Sequence, residues 1–141
     1  MTSFFTDFHI VPIIVMTLLL GIIQLIFVHK DEPFRGSHAF SHGLHIVILM
    51  PIFLFAVFNI TTVANLIGLP TGAWYLNEYL VRGVVAFVFG IKSYAMSAVS
   101  KGAAGRGMHE GILHVLIMML LVFAAPFVWP ILEPMMPAWA R

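Results

Sequence analysis

Four long apolar stretches occupy most of this sequence and limit the folds that it can adopt. They run approximately over Phe8–Val28, Phe40–Ile60, Tyr79–Val99 and Ile112–Trp129. A helix needs about 20 apolar residues to cross the roughly 30 Å of hydrocarbon in a bilayer. Since 61% of the 141 residues are hydrophobic and 9% are charged, we expect an all-α integral membrane protein. The sequence predicts a single transmembrane domain, 1–141, folded as a four-helix bundle.

The distribution of Lys and Arg predicts how the helices are oriented in the membrane. The first loop carries Lys30 and Arg35, the third carries Lys101 and Arg106, and the second carries neither residue type before Arg82. Short cytoplasmic loops are enriched in Lys and Arg. We therefore expect the first and third loops in the cytoplasm and both termini outside (N-out/C-out). A multi-pass protein of a bacterial or archaeal cytoplasmic membrane fits this pattern.

The first loop and the third loop share residues at one constant offset. Lys30, Arg35, Gly36 and His38 of the first correspond to Lys101, Arg106, Gly107 and His109 of the third. One interpretation is a duplication, which would make the protein two transmembrane hairpins related by an axis along the membrane normal. The other is coincidence, because cytoplasmic loops attract Lys and Arg and because Gly is common in loops.

Histidines near two helix starts are the candidate cofactor ligands. His38, His42 and His45 are spaced by four and three residues, so a helix places them on one face, and His114 occupies a similar depth in the fourth stretch. Neutral imidazole binds haem iron and copper, and two facing helices can hold a flat macrocycle between them. The sequence predicts a site formed by His42, His45 and His114. Haem b is favoured over copper as the bound group. The alternative that the chain binds no cofactor stays open.

The segment Ser37–Met50, "SHAFSHGLHIVILM", resembles the haem-bearing helix of succinate dehydrogenase membrane anchors. In that family Ser, His, Gly and a further His cluster near a helix start. The resemblance implies a bound haem and a neighbouring quinone. Those anchors usually have fewer spans, and the Asp and Tyr expected near their quinone site do not follow His45 or His114. The chain is therefore not assigned to that family.

Charged residues within the apolar stretches indicate further sites. Lys92 lies inside the third stretch, where a buried ammonium costs about 3 kcal/mol or more, so it needs a partner. Glu110 is the nearest acidic residue by depth, and another subunit, an anionic lipid or a cofactor propionate are alternatives. Glu78 and Arg82, four residues apart, predict an ion pair at the opposite interface.

Small residues recur at a spacing of four in the third stretch. Ala86 is followed by Gly90, and Ser93 by Ser97. This spacing lets membrane helices approach each other closely. We therefore expect the third helix to be the most enclosed.

These features favour one class of function over two others. We expect a small subunit of a larger membrane-bound redox complex, either of the electron-transfer or of the oxidase/oxygenase type, with membrane subunits, lipid and quinone as partners. One alternative is an oligomeric transporter or channel that uses Lys92 and Glu110, and another is an accessory subunit without a cofactor of its own. The chain lacks Cys and any nucleophilic or phosphate-binding motif, so a non-catalytic role is favoured over a stand-alone enzyme. No nucleic-acid partner is expected.

Overall fold

The computed structural model describes residues 9–31, 38–70, 77–99 and 112–138, with side chains over 9–27, 48–70, 77–95 and 112–138. The helices are α1 (Ile10–Asp31), α2 (His38–Phe58), α3 (Ile60–Leu66), α4 (Glu78–Val99) and α5 (Ile112–Leu132), followed by a 3₁₀ turn, Glu133–Met135. Within these ranges all of the regular secondary structure is helical, as the sequence predicted. The four long helices begin and end within about three residues of the predicted spans.

Two to three segments are long and apolar enough to cross a membrane within the described residues. Ile10–Phe27 and Ile112–Met135 qualify individually, and Ile48–Phe58 qualifies together with Ile60–Leu66 if that bent pair is one span. The helix α4 carries Glu78, Arg82 and Lys92 and is not among them. These apolar helices are consistent with a membrane protein, whereas four spans and their orientation stay predictions.

The long helices pack as two sequential hairpins. The helix α1 packs mainly on α2 and α4 mainly on α5, and α2 also contacts α4 and α5. His9 contacts Asn59 at one end of the molecule, and Phe27 contacts His114 at the other. Successive long helices therefore run in opposite directions. We refer to the Asn59 end and the His114 end of the molecule.

The packed interior consists of apolar side chains from all four long helices. Its largest fully buried side chains are Met50, Leu54, Val57 and Val122. Many large apolar side chains on the same helices point outward instead. Such a surface is favourable in contact with lipid or with other membrane helices and unfavourable in water.

The second predicted span does not continue straight through residue 60. It ends at Phe58, and α3 leaves at an angle of 97°. Asn59 has non-helical backbone angles, φ −124° and ψ 47°, and its side chain bonds to the backbone of Phe55 in α2 and of His9 just before α1. Short polar side chains that bond to nearby backbone favour such helix breaks.

The sequence predicted that α4 approaches another helix closely, and the described part of α4 does so against α5. Ala86, Gly90 and Ser93 are all buried, and a Cβ atom added at Gly90 would overlap the side chain of Met119 on α5. Glycine favours this packing, because its missing side chain leaves the volume that the flexible Met119 side chain fills. The side chain of Ser97 lies outside the described set.

Candidate functional site

At the His114 end, a predicted ligand packs against a neighbouring helix. His114 lies in the first turn of α5 and is half-buried, and its ring stacks on Phe27 of α1 with centroids 4.7 Å apart and planes 1° apart. This contact holds the imidazole plane parallel to the aromatic ring. His114 therefore has a defined orientation at the bundle edge.

The other predicted ligands lie on the first turns of α2. The helix α2 begins at His38, so His42 and His45 lie within its first two turns, at the same end of the molecule as His114. Their side chains lie outside the described set, as does all of Glu110. The structure thus brings the two histidine-bearing helix starts to one end of the molecule. Convergence of their imidazoles on one cofactor stays a prediction.

A buried polar bridge adjoins this end and was missed by the sequence analysis. Gln24 of α1 donates a hydrogen bond from Nε2 to Oγ of Ser93 on α4, at 3.3 Å. Gln24 Oε1 is also buried and has no hydrogen-bond partner among the described residues. Gln24 precedes Phe27 by about one helical turn, so a polar group lies next to the Phe27–His114 stack. The sequence feature that could have indicated this bridge is the single Gln within the otherwise apolar first stretch.

Lys92 lies on the outside of the bundle. It neighbours Ser93 in sequence, yet Ser93 is buried and Lys92 is exposed. No hydrogen bond or ion pair of Lys92 is found within the part of the chain that the structure describes. The expected pairing with Glu110 falls outside the described residues.

No metal site is assembled from the side chains that the structure describes. Within that set, no three His, Asp or Glu groups come close enough to hold one ion. Two of the three predicted ligands, His42 and His45, are not in the set. The prediction of haem b or copper is therefore neither supported nor contradicted.

At the opposite end, a polar pocket of about 510 Å³ opens where α2 breaks. The corner pocket, as we call it, is lined on one side by Thr61, Thr62 and Asn65 of α3, and on the other by Glu78 and Arg82 of α4. His9, Asn59 and the apolar side chains of Phe58 and Ile60 complete it. Its volume falls within the range of small-molecule sites.

Arg82 is the most constrained charged group of the corner pocket. Its Nη2 lies 3.0 Å from Oε2 of Glu78, so the ion pair predicted from their spacing is confirmed. Its Nε donates to the carbonyl of Val57 at 3.4 Å, and its guanidinium lies 4.9 Å from the ring centroid of Phe127. The carbonyl and the ring fix the guanidinium from the protein side, which pre-organises it for a ligand in the pocket.

Comparisons of the chain with protein-family models, with curated proteins and with solved structures find no match.

Proposed function

We propose that this chain is a small, non-catalytic integral membrane subunit of a larger membrane-bound redox complex. In this proposal α1, α2, α4 and α5 cross the bilayer as a four-helix bundle, with the His114 end in the cytoplasm and both termini outside. The Lys and Arg residues of the first and third loops support this orientation. The outward apolar side chains of these helices would contact lipid and neighbouring subunits.

The exposed position of Lys92 is the main observation that supports a larger assembly of membrane subunits. Val88 and Ile91 are also exposed on this helix, so the cation lies on an otherwise apolar surface. An ammonium facing hydrocarbon costs about 3 kcal/mol or more at the centre of a helix. A carboxylate or a carbonyl from a partner helix would remove that cost. We therefore assign the Lys92 surface of α4 to the interface with another membrane subunit.

The redox part of the proposal rests on the histidines. In this proposal two of His42, His45 and His114 bind haem b iron through neutral imidazole, with one ligand from each of two helices. The location of both helix starts at the His114 end supports this assignment, as does the half-buried position of His114. Thioether and imidazole both suit Cu(I), but Met is also an ordinary filler of apolar cores, so copper is the less favoured occupant. Quinone is the proposed electron partner of the complex.

The subunit proposal is tested by isolating the tagged chain from native membranes in a mild detergent. We expect a defined set of membrane proteins to co-purify, and Lys92→Met to reduce their recovery about tenfold while Lys92→Arg retains them. Leu120→Met, an exposed apolar position on α5, is the matched control and should retain them. A chain that purifies without any other membrane protein would contradict the proposal.

The cofactor is tested on the same preparation by its optical spectrum and by haem and metal assays. A Soret band with low-spin haem b features supports the assignment. Copper without haem would favour the alternative metal. A complex that contains neither would leave an accessory subunit without a cofactor of its own.

The alternative function is an oligomeric transporter or channel with Lys92 and Glu110 along its pathway. The exposure of Lys92 on one chain favours a pathway between copies over one inside a single bundle. Flux into liposomes that is lost in Lys92→Ala would support this function. Flux that is unchanged in that variant would exclude Lys92 from the pathway.

A further inference from the structure

The corner pocket lies where a lipid headgroup would be in the proposed membrane arrangement. The apolar segment of α1 begins at Ile10, one residue after His9, which lines the pocket. The helix α3 lies at 97° to α2, and Leu66 and Ile67 at its end are 82% and 63% exposed. A short helix that crosses the end of apolar helices and exposes apolar side chains is typical of the membrane interface.

The guanidinium of Arg82 provides donors for an anionic oxygen in the corner pocket. The Nε–H and an Nη2–H are accounted for by Val57 and Glu78. The other guanidinium N–H groups have no acceptor among the described residues, and the Arg82 side chain is only 14% exposed. Arginine binds phosphate through charge-assisted hydrogen bonds. Thr61 and Thr62 line the same pocket, and a threonine hydroxyl can donate to a further oxygen.

The carboxylate of Glu78 gives the corner pocket a second, opposite charge. Its side chain is 66% exposed, so it remains accessible beside Arg82. The lining contains one Arg and one Glu, so it offers one positive and one negative group, which matches a ligand that also carries one charge of each sign. From this pairing we propose that the corner pocket binds the headgroup of a phospholipid that bears both a phosphate and an amine, as phosphatidylethanolamine does. The phosphate lies against Arg82 and the threonines, and the amine against Glu78.

This proposal is tested with the purified full chain in detergent. Retained lipid is counted by native mass spectrometry after titration with phosphatidylethanolamine or phosphatidylglycerol, which has the phosphate but no amine. We expect the ethanolamine lipid to bind about tenfold more tightly than the glycerol lipid. Glu78→Gln should abolish this preference. Arg82→Gln should lower the affinity for both lipids about tenfold. Glu133→Gln removes a carboxylate that does not line the pocket and should leave both affinities unchanged.

Because Arg82→Gln also removes contacts that hold the helices together, Asn65→Trp serves as a second variant. Asn65 is exposed, its side chain makes no hydrogen bond among the described residues, and a Trp there would fill the corner pocket. This variant should keep the thermal stability of the chain and lose the lipid. Retention of the lipid in Asn65→Trp, or equal binding of both lipids to the unmodified chain, would overturn the proposal.

Soluble phosphoethanolamine separates a lipid site from a site for a free headgroup. We expect it to compete with the lipid only at a concentration about a hundredfold higher, because it lacks acyl chains that bind the apolar surface. Competition at the same concentration as the lipid would overturn the lipid assignment. The readout does not depend on haem or on partner subunits, so its outcome is independent of the redox proposal.

Discussion

Gln24 on α1 donates a 3.3 Å hydrogen bond to Ser93 on α4, across the interior between the two hairpins. Both side chains are buried, with 7% and 6% of their surface exposed. The helices α1 and α4 otherwise contact each other little, since each packs mainly on its own hairpin partner. The bond therefore links the hairpins at a level near the Phe27–His114 stack.

We expect Ser93→Ala to lower the free energy of unfolding by about 1 kcal/mol, because the amide of Gln24 would lose its acceptor while buried. A double-mutant cycle with Gln24→Leu should give a coupling of about 0.6 kcal/mol, as is usual for hydrogen bonds between membrane helices. The measurement is reversible unfolding in mixed detergent micelles. Thr17→Val is the control: its hydroxyl is buried without a partner among the described residues, so this change should not destabilise. Zero coupling would contradict the prediction.

The contact between Gly90 and Met119 predicts opposite outcomes for two glycines of α4. Gly90→Ala should destabilise by about 1 kcal/mol, because the new methyl group displaces the flexible Met119 side chain. Gly83→Ala should stabilise by about 0.5–1 kcal/mol, since nothing lies within 4 Å of a Cβ there and Ala favours helix. Thermal unfolding of both variants measures the difference. Met119→Ala should remove the penalty at Gly90, and a penalty that persists would locate its cause elsewhere.

The corner between α2 and α3 depends on the side chain of Asn59. Its Oδ1 accepts the backbone N–H of His9 at 3.0 Å, and its Nδ2 donates to the carbonyl of Phe55 at 3.1 Å. Asn59→Leu should cost about 1 kcal/mol and speed proteolytic cleavage after α2, because the part-buried N–H of His9 loses its acceptor and the carbonyl of Phe55 keeps only one of its two donors. Asn65→Leu changes the same residue type at an exposed position and should have little effect. Equal cleavage of both variants would argue against this role.

The haem proposal predicts distinct effects for the histidines. His114→Ala should abolish the low-spin haem spectrum, and one of His42→Ala and His45→Ala should do the same, because each removes an axial ligand. His9→Ala, at the other end of the molecule, should retain the spectrum. Absorption and electron paramagnetic resonance spectra of the isolated complex provide the measurement. A wild-type spectrum in all three ligand variants would exclude these residues as ligands.

Hydropathy alone predicted the long helices to within about three residues, because a backbone in lipid must satisfy its own hydrogen bonds and a long apolar run satisfies them as a helix. Local spacing was also sufficient for the Glu78–Arg82 pair and for the small-residue face around Gly90. Both depend on residues about one turn apart on a single helix, so no knowledge of neighbouring helices is needed.

Contacts between helices were decided only by the tertiary structure. In an apolar helix nearly every face is hydrophobic, so the sequence does not state which side turns inward. The packing of the hairpins buries Ser93 against Gln24 and leaves Lys92 outside, although the two residues are adjacent. Asn59, at the break, likewise bonds to His9, 50 residues away, and both residues line the corner pocket. The sequence by itself determined where helices form, and only their packing determined which polar groups meet.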